Sequence, residues 1–192
     1  MEYVGDRLAL TGVEGLTVGE LLDILVRDEP GPAASTAAAL SAAAAAALIE
    51  MAAERSADWS EAKGIAAQAS ARRARLTELA AGSADALSDA MIALERRDRI
   101  EPPLRKTVEV LQAIADAAGD VAELAAYAAD RADWQVRPDV CSAAVLAEAA
   151  VSIAALLVRA NLTVLPGDER RVEVERAAAN ASVATRRALE AV

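Results

Sequence analysis

The sequence has no histidine and one cysteine in 192 residues. Without histidine, neither a Ser-His-Asp triad nor a zinc site with imidazole ligands can be built. The single cysteine, Cys141, cannot form a disulfide within the chain. Proton transfer would therefore have to be carried by Asp, Glu, Lys or an ordered water molecule, and no metal or cofactor is expected.

Aromatic residues are also scarce, since phenylalanine is absent and tryptophan and tyrosine occur twice each. The core must then consist of small and aliphatic side chains, with alanine the most prominent. Such side chains suit closely packed helices, whereas a sheet would use more β-branched and aromatic residues. The composition predicts an all-α protein.

The charge balance excludes another class of function. Thirty acidic residues against 20 basic ones give a net charge of −10, so the chain lacks the basic surface that nucleic-acid binding requires. The N-terminal segment Met1–Arg7 lacks the basic start and apolar run of a signal peptide, and we expect a cytoplasmic protein. The apolar run Ala37–Ile49 is mostly alanine and shorter than the ~20 residues of a membrane span, so no membrane is expected either.

Start and stop signals predict an up-and-down bundle of about seven helices. Thr17-Val18-Gly19-Glu20 is a capping box, and it opens a first helix with an apolar stripe at Val18, Leu21, Leu22 and Leu25. Further helices are predicted at about residues 36–54, 60–81, from 83, 102–128, 138–165 and 168–191. In this prediction Gly82 ends the third helix, and Gly119 ends or bends the fifth. We expect one domain over residues 1–192, with residues 1–16 as a leader segment.

Two of these helices, at residues 36–54 and 138–165, are apolar on nearly every face. The second of them is expected at the centre of the bundle. The remaining amphipathic helices cannot easily cover both, and a homodimer would cover what is left exposed.

The segment Glu29–Leu40 has the pattern of a ligand-binding loop that leads into a buried helix. Pro30 and Pro32 stiffen its entry, and the small residues after them would let a ligand approach the free N–H groups of the helix start. A Pro-initiated helix capped by a serine or threonine explains the same residues. Both interpretations remain open.

This loop resembles the Pro-x-Pro-Gly-Gly-Gly-Ser-x-Ala-Ala-Leu signature of the cyclodeaminase/cyclohydrolase family. That family includes the cyclodeaminase half of formiminotransferase-cyclodeaminase and bacterial methenyltetrahydrofolate cyclohydrolases. Pro30-Gly31-Pro32 and Ala38-Ala39-Leu40 match the two ends of the signature. Ala33-Ala34-Ser35 stands in place of the three glycines, and Thr36 in place of the serine.

Two later segments extend the resemblance. Asp139 with Ala143 resembles the family's Ser-Asp-x-x-x-Ala helix start, with Pro138 in place of the serine. Val158–Leu162 resembles the family's Asn-Val-x-x-Asn-Leu, with Asn161 as the matching second asparagine.

The resemblance implies a helical dimer that acts in folate one-carbon metabolism, as a formiminotetrahydrofolate cyclodeaminase or a methenyltetrahydrofolate cyclohydrolase. It also implies Asp139 as the catalytic proton carrier, although a carboxylate at a helix start can equally be an N-cap. Asn161 would bind the substrate or cap its own helix. The other implied substrate-binding residues are Pro32, Ala33, Ala34, Ser35 and Thr36.

The lost glycines favour a second hypothesis, in which the chain is a catalytically inactive helical dimer that serves as a binding or protein-interaction module. Cys141 also has two interpretations. It would be a nucleophile activated by the helix dipole, or a small buried hydrophobic residue.

Overall fold

The structure is a computed structural model that describes residues 12–27, 31–56, 58–164 and 169–192. Six α-helices and no strand occur in these residues, so the predicted all-α class is confirmed. The helices are α1 (Val18–Leu25), α2 (Ala34–Arg55), α3 (Ala62–Glu95), α4 (Glu101–Ala129), α5 (Arg137–Asn161) and α6 (Arg170–Leu189). Short 3₁₀ turns lie at Val13–Gly15 and Leu162–Val164.

The helix count is one lower than predicted because α3 runs through Gly82 without a break. A glycine inside a helix costs only about 1 kcal/mol relative to alanine, and the good helix formers on either side of Gly82 offset that cost. Ser83 does not start a new helix, and its hydroxyl donates a hydrogen bond back to the Ala80 carbonyl at 2.9 Å. The prediction of a stop at Gly82 is therefore wrong. Gly119 likewise lies inside α4, which excludes the alternative that a helix ends there.

The centre of the bundle is α4, which contacts α2, α3, α5 and α6. Val108, Leu111, Ile114 and Val121 on this helix are almost completely buried. Helix α5 was expected in this position, but one of its sides is exposed, and that prediction is wrong. The alanines of α4 allow four helices to approach it, which apolar periodicity alone does not reveal.

Helices α2 and α5 are long and apolar enough to cross a membrane by length and composition. About half of the most apolar stretch of each is buried inside the bundle, 56% in α2 and 50% in α5. Core helices of globular proteins pass the same test, so this property does not distinguish a span from a core helix.

Helix α1 begins with the predicted capping box. The Glu20 amide donates to Thr17 Oγ1 at 3.3 Å, and the Thr17 amide donates to Glu20 Oε2 at 2.8 Å. The predicted apolar stripe is not buried, because Val18 is 76% exposed and Leu22 is 58% exposed, while Ile24 is the residue that turns inward. The local sequence therefore forms the helix, but much of its apolar face remains in solvent.

We expect Thr17→Ala to loosen α1 without unfolding the bundle. Loss of an N-cap costs about 1 kcal/mol, and a helix of this length is marginal by itself. Amide exchange in residues 18–25 should then be about fivefold faster, while the melting temperature stays the same. In a control, Thr77→Ala removes a hydroxyl that bonds its own helix and should leave exchange in α1 unchanged. If amide exchange in residues 18–25 were unchanged in Thr17→Ala, the capping box would not contribute to the stability of α1.

Candidate functional site

The loop before α2 carries alanine where glycine was expected, without backbone strain. Ala33 is the N-cap residue of α2 and has an extended backbone, with φ −146° and ψ −157°. Any L-residue adopts this conformation, and in the described residues Arg97 is the one non-glycine with a positive φ. Ala34 already belongs to the helix and is exposed, whereas Gly31 and Pro32 are buried. The matching residue Pro30 lies outside the described part of the chain.

Neither Ser35 nor Thr36 caps α2, so the capping interpretation of these two residues is wrong. Thr36 is fully buried, and its Oγ1 lies 3.0 Å from Ser83 Oγ in α3. Because the Ser83 hydroxyl donates to the Ala80 carbonyl, we assign Thr36 as the donor to Ser83. Thr36 therefore joins two helices inside the core. Ser35 is 8% exposed in the first turn of α2.

Removing the Thr36 hydroxyl and removing the Ser83 hydroxyl should lower the stability by different amounts. Ser83→Ala leaves the buried Thr36 hydroxyl without an acceptor and should cost about 1–3 kcal/mol of stability. Thr36→Val should cost less, since Ser83 keeps its bond to Ala80 and the side-chain shape is retained. Thermal unfolding of the two single variants and the double variant measures this. The double variant should lose less than the sum of the singles, and strict additivity would contradict the pairing.

Asp139 lies at the third position of α5 and is not its N-cap, a role taken by the backbone of Val136. The expectation of an N-cap is therefore wrong. The carboxylate is half-exposed and forms no hydrogen bond or ion pair with another described residue.

Asn161 is the last residue of α5, and its side-chain amide forms a hydrogen bond within the helix. Its Nδ2 donates a hydrogen bond of 2.7 Å to the Leu157 carbonyl one turn earlier. The sequence left two roles open for Asn161, substrate binding and capping. The hydrogen bond to Leu157 is that of a cap on its own helix.

One end of the bundle carries the loop, and we call it the loop end. There Thr36 of α2 meets Ser83 of α3, and Thr107 near the start of α4 donates to the Ala86 carbonyl of α3 at 3.2 Å. Helix α4 runs away from this end and α5 returns to it. Asn161, at the end of α5, is therefore at the loop end.

The opposite end, which we call the Asp139 end, is fixed by two hydrogen bonds. The Asp133 amide donates to Ser56 Oγ at 2.9 Å, and Cys141 Sγ donates to the Ala188 carbonyl at 3.2 Å. Asp139 opens α5 at this end. Since 22 residues separate Asp139 from Asn161, they lie about 33 Å apart along the helix. Within one chain the structure brings Asn161 to the loop end and keeps Asp139 away from it.

Cys141 is buried, with 4% of its surface exposed. Burial raises the pKa of its thiol, and Asp130 adds to this effect while Arg137 opposes it. The thiol is the hydrogen-bond donor to Ala188, so the surroundings favour the protonated form. This is the environment of a structural cysteine and not of an activated nucleophile.

Cys141 should therefore react slowly with Ellman's reagent at pH 8 in the folded protein. We expect the rate to be at least about 10-fold below that of the same chain in guanidinium chloride. Burial limits the access of the reagent to the sulfur and lowers the fraction of thiolate. A matched control is Ser142→Cys in a Cys141→Ala background, which places a thiol at an exposed neighbouring position. Equal rates for the native and unfolded wild type would contradict the assignment.

A further cluster at the Asp139 end was not predicted. Tyr127 of α4 donates to Glu61 Oε2 at 2.5 Å, the Arg131 guanidinium lies 3.9 Å from the Tyr127 ring centre, and the Trp59 ring is 6.4 Å away. The hydrogen bond lowers the pKa of the Glu61 carboxyl and raises that of the Tyr127 hydroxyl. In a chain with so few aromatic residues, the tryptophan and tyrosine were the signal that could have indicated this cluster.

Two grooves meet at Tyr127. One, of about 540 Å³, lies between α3 and α4 and includes Gly64 and Gln68. The other, of about 570 Å³, lies between α4 and α6 and includes Asn180 and Arg187. Both are open depressions on the outside of the bundle, away from the loop end.

Comparison with known proteins gives the family. The sequence profile described as formiminotransferase-cyclodeaminase matches residues 17–181. The chain belongs to the formiminotransferase-cyclodeaminase family. The match begins at the capping-box threonine and includes the loop, Asp139 and Asn161, so the resemblance inferred from the sequence is confirmed.

A solved structure of a formiminotetrahydrofolate cyclodeaminase from Thermotoga maritima has the same fold. It superimposes with a TM-score of 0.84 over 93% of this chain and 96% of that chain, at 21% sequence identity. No curated protein sequence matches the chain closely enough to count as a relative. The family and the fold are thus shown, and at this identity the likeness does not extend to individual site residues.

In this member of the formiminotransferase-cyclodeaminase family, the segment that resembles the signature leads into the start of α2. The extended backbone of Ala33 accommodates a Cβ atom without distorting the chain. Alanine at positions 33 and 34 is therefore compatible with an intact helix start.

Proposed function

We propose that the chain acts on a reduced folate that carries a one-carbon unit, as a cyclodeaminase or cyclohydrolase. The reaction would be the loss of ammonia from a formimino group as the one-carbon unit bridges two folate nitrogens, or the addition of water to that bridging carbon. Membership in the formiminotransferase-cyclodeaminase family supports this substrate class.

The observation that carries the proposal is the unstrained start of α2. The extended Ala33 leads directly into the helix and supplies no capping side chain. The first N–H groups of α2 would therefore be available to bind an anion in front of the helix, and the glutamate tail of a folate is such an anion. The exposed Ala34 would lie beside it.

Asp139 is the proposed proton carrier. Neither reaction has a histidine to use, and both need a group that accepts and returns a proton. The carboxylate is half-exposed and has no partner among the described residues, so it is accessible to a substrate.

Calorimetric titration with 5-formyltetrahydrofolate, a stable folate, tests the proposal. We expect micromolar binding to the wild type and weaker binding to Asp139→Asn, with unchanged circular dichroism and melting temperature. Asp133→Asn changes an exposed carboxylate at the same end of the bundle and is the matched control. Ala34→Asp should weaken binding by charge repulsion, whereas the neutral Ala34→Gln should weaken it less.

Binding would justify assays of ammonia release from 5-formiminotetrahydrofolate and of hydrolysis of 5,10-methenyltetrahydrofolate. The absence of any heat up to millimolar folate would reject the proposal.

A second candidate is a catalytically inactive helical dimer that serves as an interaction module. The inward orientation of Thr36 favours it, because the hydroxyl at the serine position of the signature is committed to Ser83 and cannot reach a ligand in front of α2. This candidate predicts no folate binding in the same titration and no effect of Ala34→Asp.

A further inference from the structure

The groove between α3 and α4 has one charged residue in its lining, and we call it the Glu61 groove. Its volume of about 540 Å³ is in the size range of small-molecule sites. The described residues that line it are Glu61, Gly64, Ile65, Gln68, Leu124 and Tyr127. A carboxylate therefore lies beside apolar side chains in an open depression of the surface.

The Glu61 carboxylate does not serve its own helix. Glu61 is the N-cap residue of α3, but its side chain forms no capping hydrogen bond. It instead accepts a hydrogen bond of 2.5 Å from the Tyr127 hydroxyl of α4. That bond uses Oε2, and the other carboxylate oxygen remains able to accept hydrogen bonds from a ligand.

The polar atoms of the groove mainly accept hydrogen bonds. The bond from Tyr127 holds the pKa of the Glu61 carboxyl below its usual range, so this group is an ionised acceptor at neutral pH. The Tyr127 hydroxyl donates its one proton to Glu61, and its oxygen can only accept from a ligand. The Gln68 amide can accept as well as donate. A ligand that suits this lining supplies hydrogen-bond donors and a positive charge.

Arg131 does not neutralise the groove from within. Its guanidinium lies 3.9 Å from the centre of the Tyr127 ring, and its Nη1 donates to the Tyr127 carbonyl at 2.7 Å. Arg131 is not part of the lining, and no ion pair joins it to Glu61 in the described part of the chain. It favours the ionised form of Glu61 through its charge.

Two other grooves at this end of the bundle differ in their charges. The groove between α4 and α6 contains Arg187 beside Glu123. A groove of about 700 Å³ at the end of α2 contains Lys63 beside Glu54. In each of these a basic side chain accompanies the carboxylate. Among the three, the Glu61 groove is the one whose described lining holds a carboxylate without a basic residue.

We propose that the Glu61 groove binds a small aliphatic amine in its protonated form. The ammonium group would donate to the Glu61 carboxylate and to the Tyr127 oxygen, because both are acceptors. The alkyl chain would pack along Ile65 and Leu124, which line the groove as its apolar part. Gly64 leaves space for the chain, since a Cβ atom there would meet no other atom within 4 Å. This site is separate from the proposed folate site and does not depend on it.

Titration with pentylamine tests the site, and pentan-1-ol is a neutral control with the same alkyl chain. We expect pentylamine to shift the backbone amide signals of Gly64 and Gln68 in nitrogen-15 spectra. The shifts should saturate with a dissociation constant of about 1 mM or lower. Pentan-1-ol should not produce saturating shifts at the same concentrations, because it has no charge for Glu61 to bind.

Three variants identify the groups that bind the amine. Glu61→Gln keeps the shape of the side chain and removes its charge, so binding should weaken at least about 10-fold. Gly64→Leu retains Glu61 but places a side chain in the groove, which should also abolish binding. Leucine is a better helix former than glycine, so this variant should fold. Glu123→Gln makes the same change of charge in the neighbouring groove and should bind as the wild type does.

Several results would overturn the proposal. These are the absence of binding at tens of millimolar amine, equal shifts with pentan-1-ol, and a loss of binding in Glu123→Gln but not in Glu61→Gln. Tighter binding of Nα-acetyl-lysine amide than of pentylamine would assign the groove to a lysine side chain of a partner protein and reject a small amine. Circular dichroism of each variant verifies that the fold is retained.

Discussion

Leu111→Ala should lower the stability of the bundle by about 2–5 kcal/mol, because it leaves a cavity in the middle of the central helix. Leu111 is 2% exposed and belongs to α4, the helix that four others pack against. The core as a whole is mostly alanine and valine, which have few rotamers with which to fill the space. For a chain of this size the loss corresponds to a fall of very roughly 5–15 °C in melting temperature.

The control for this variant is Leu94→Ala, the same deletion at a position that is 64% exposed. It should change the stability by less than about 0.5 kcal/mol. Chemical denaturation monitored by circular dichroism measures both variants. Similar losses at the two positions would show that α4 is not the centre of the core.

Ala147→Leu should destabilise the protein strongly. Ala147 is fully buried in α5, among the alanines through which α5 packs against its neighbours. Adding three carbon atoms there forces the helices apart, and overpacking of this kind costs about 1–3 kcal/mol or more. The buried residues of α5 are mostly alanine and valine, which have few or no rotamers with which to accommodate the change.

Ala67→Leu is the matched control, since Ala67 is exposed on α3 and leucine is also a good helix former. Its melting temperature should remain within about 2 °C of the wild type. If Ala147→Leu were equally well tolerated, the packing between the helices would be looser than the structure indicates.

Local signals in the sequence predicted the helices well. The capping box at Thr17 and the proline pair at Pro102-Pro103 each gave a helix start that the structure contains. Gly82 led to the wrong prediction that a helix ends there. Glycine adds conformational freedom at one residue only, and the helix propensity of its neighbours decides whether the helix continues. Which apolar helix becomes central was also unpredictable, since that choice depends on how all the helices pack together.

The candidate site was less predictable than the fold. The motif around Thr36 indicated a hydroxyl in front of a helix, but its bond to Ser83 depends on a residue 47 positions later in the chain. Asp139 and Asn161 were recognised separately, and the length of α5 then determined that they lie far apart. The apolar helices led to the expectation of a homodimer, but a single sequence does not say which residues of two subunits would lie together.

Because Asp139 and the start of α2 lie at opposite ends of one chain, the proposed folate site would join Asp139 of one subunit to the α2 start of another in the expected homodimer. A mixing experiment is the most direct test of this account. The Asp139→Asn and Ala34→Asp variants should each bind 5-formyltetrahydrofolate weakly alone. After equal amounts are mixed and allowed to exchange subunits, about half of the dimers are heterodimers, and each of these has one site free of both substitutions. Calorimetry should then recover tight binding at about one quarter of the wild-type sites. A mixture that binds no better than the two variants measured separately would contradict a shared site.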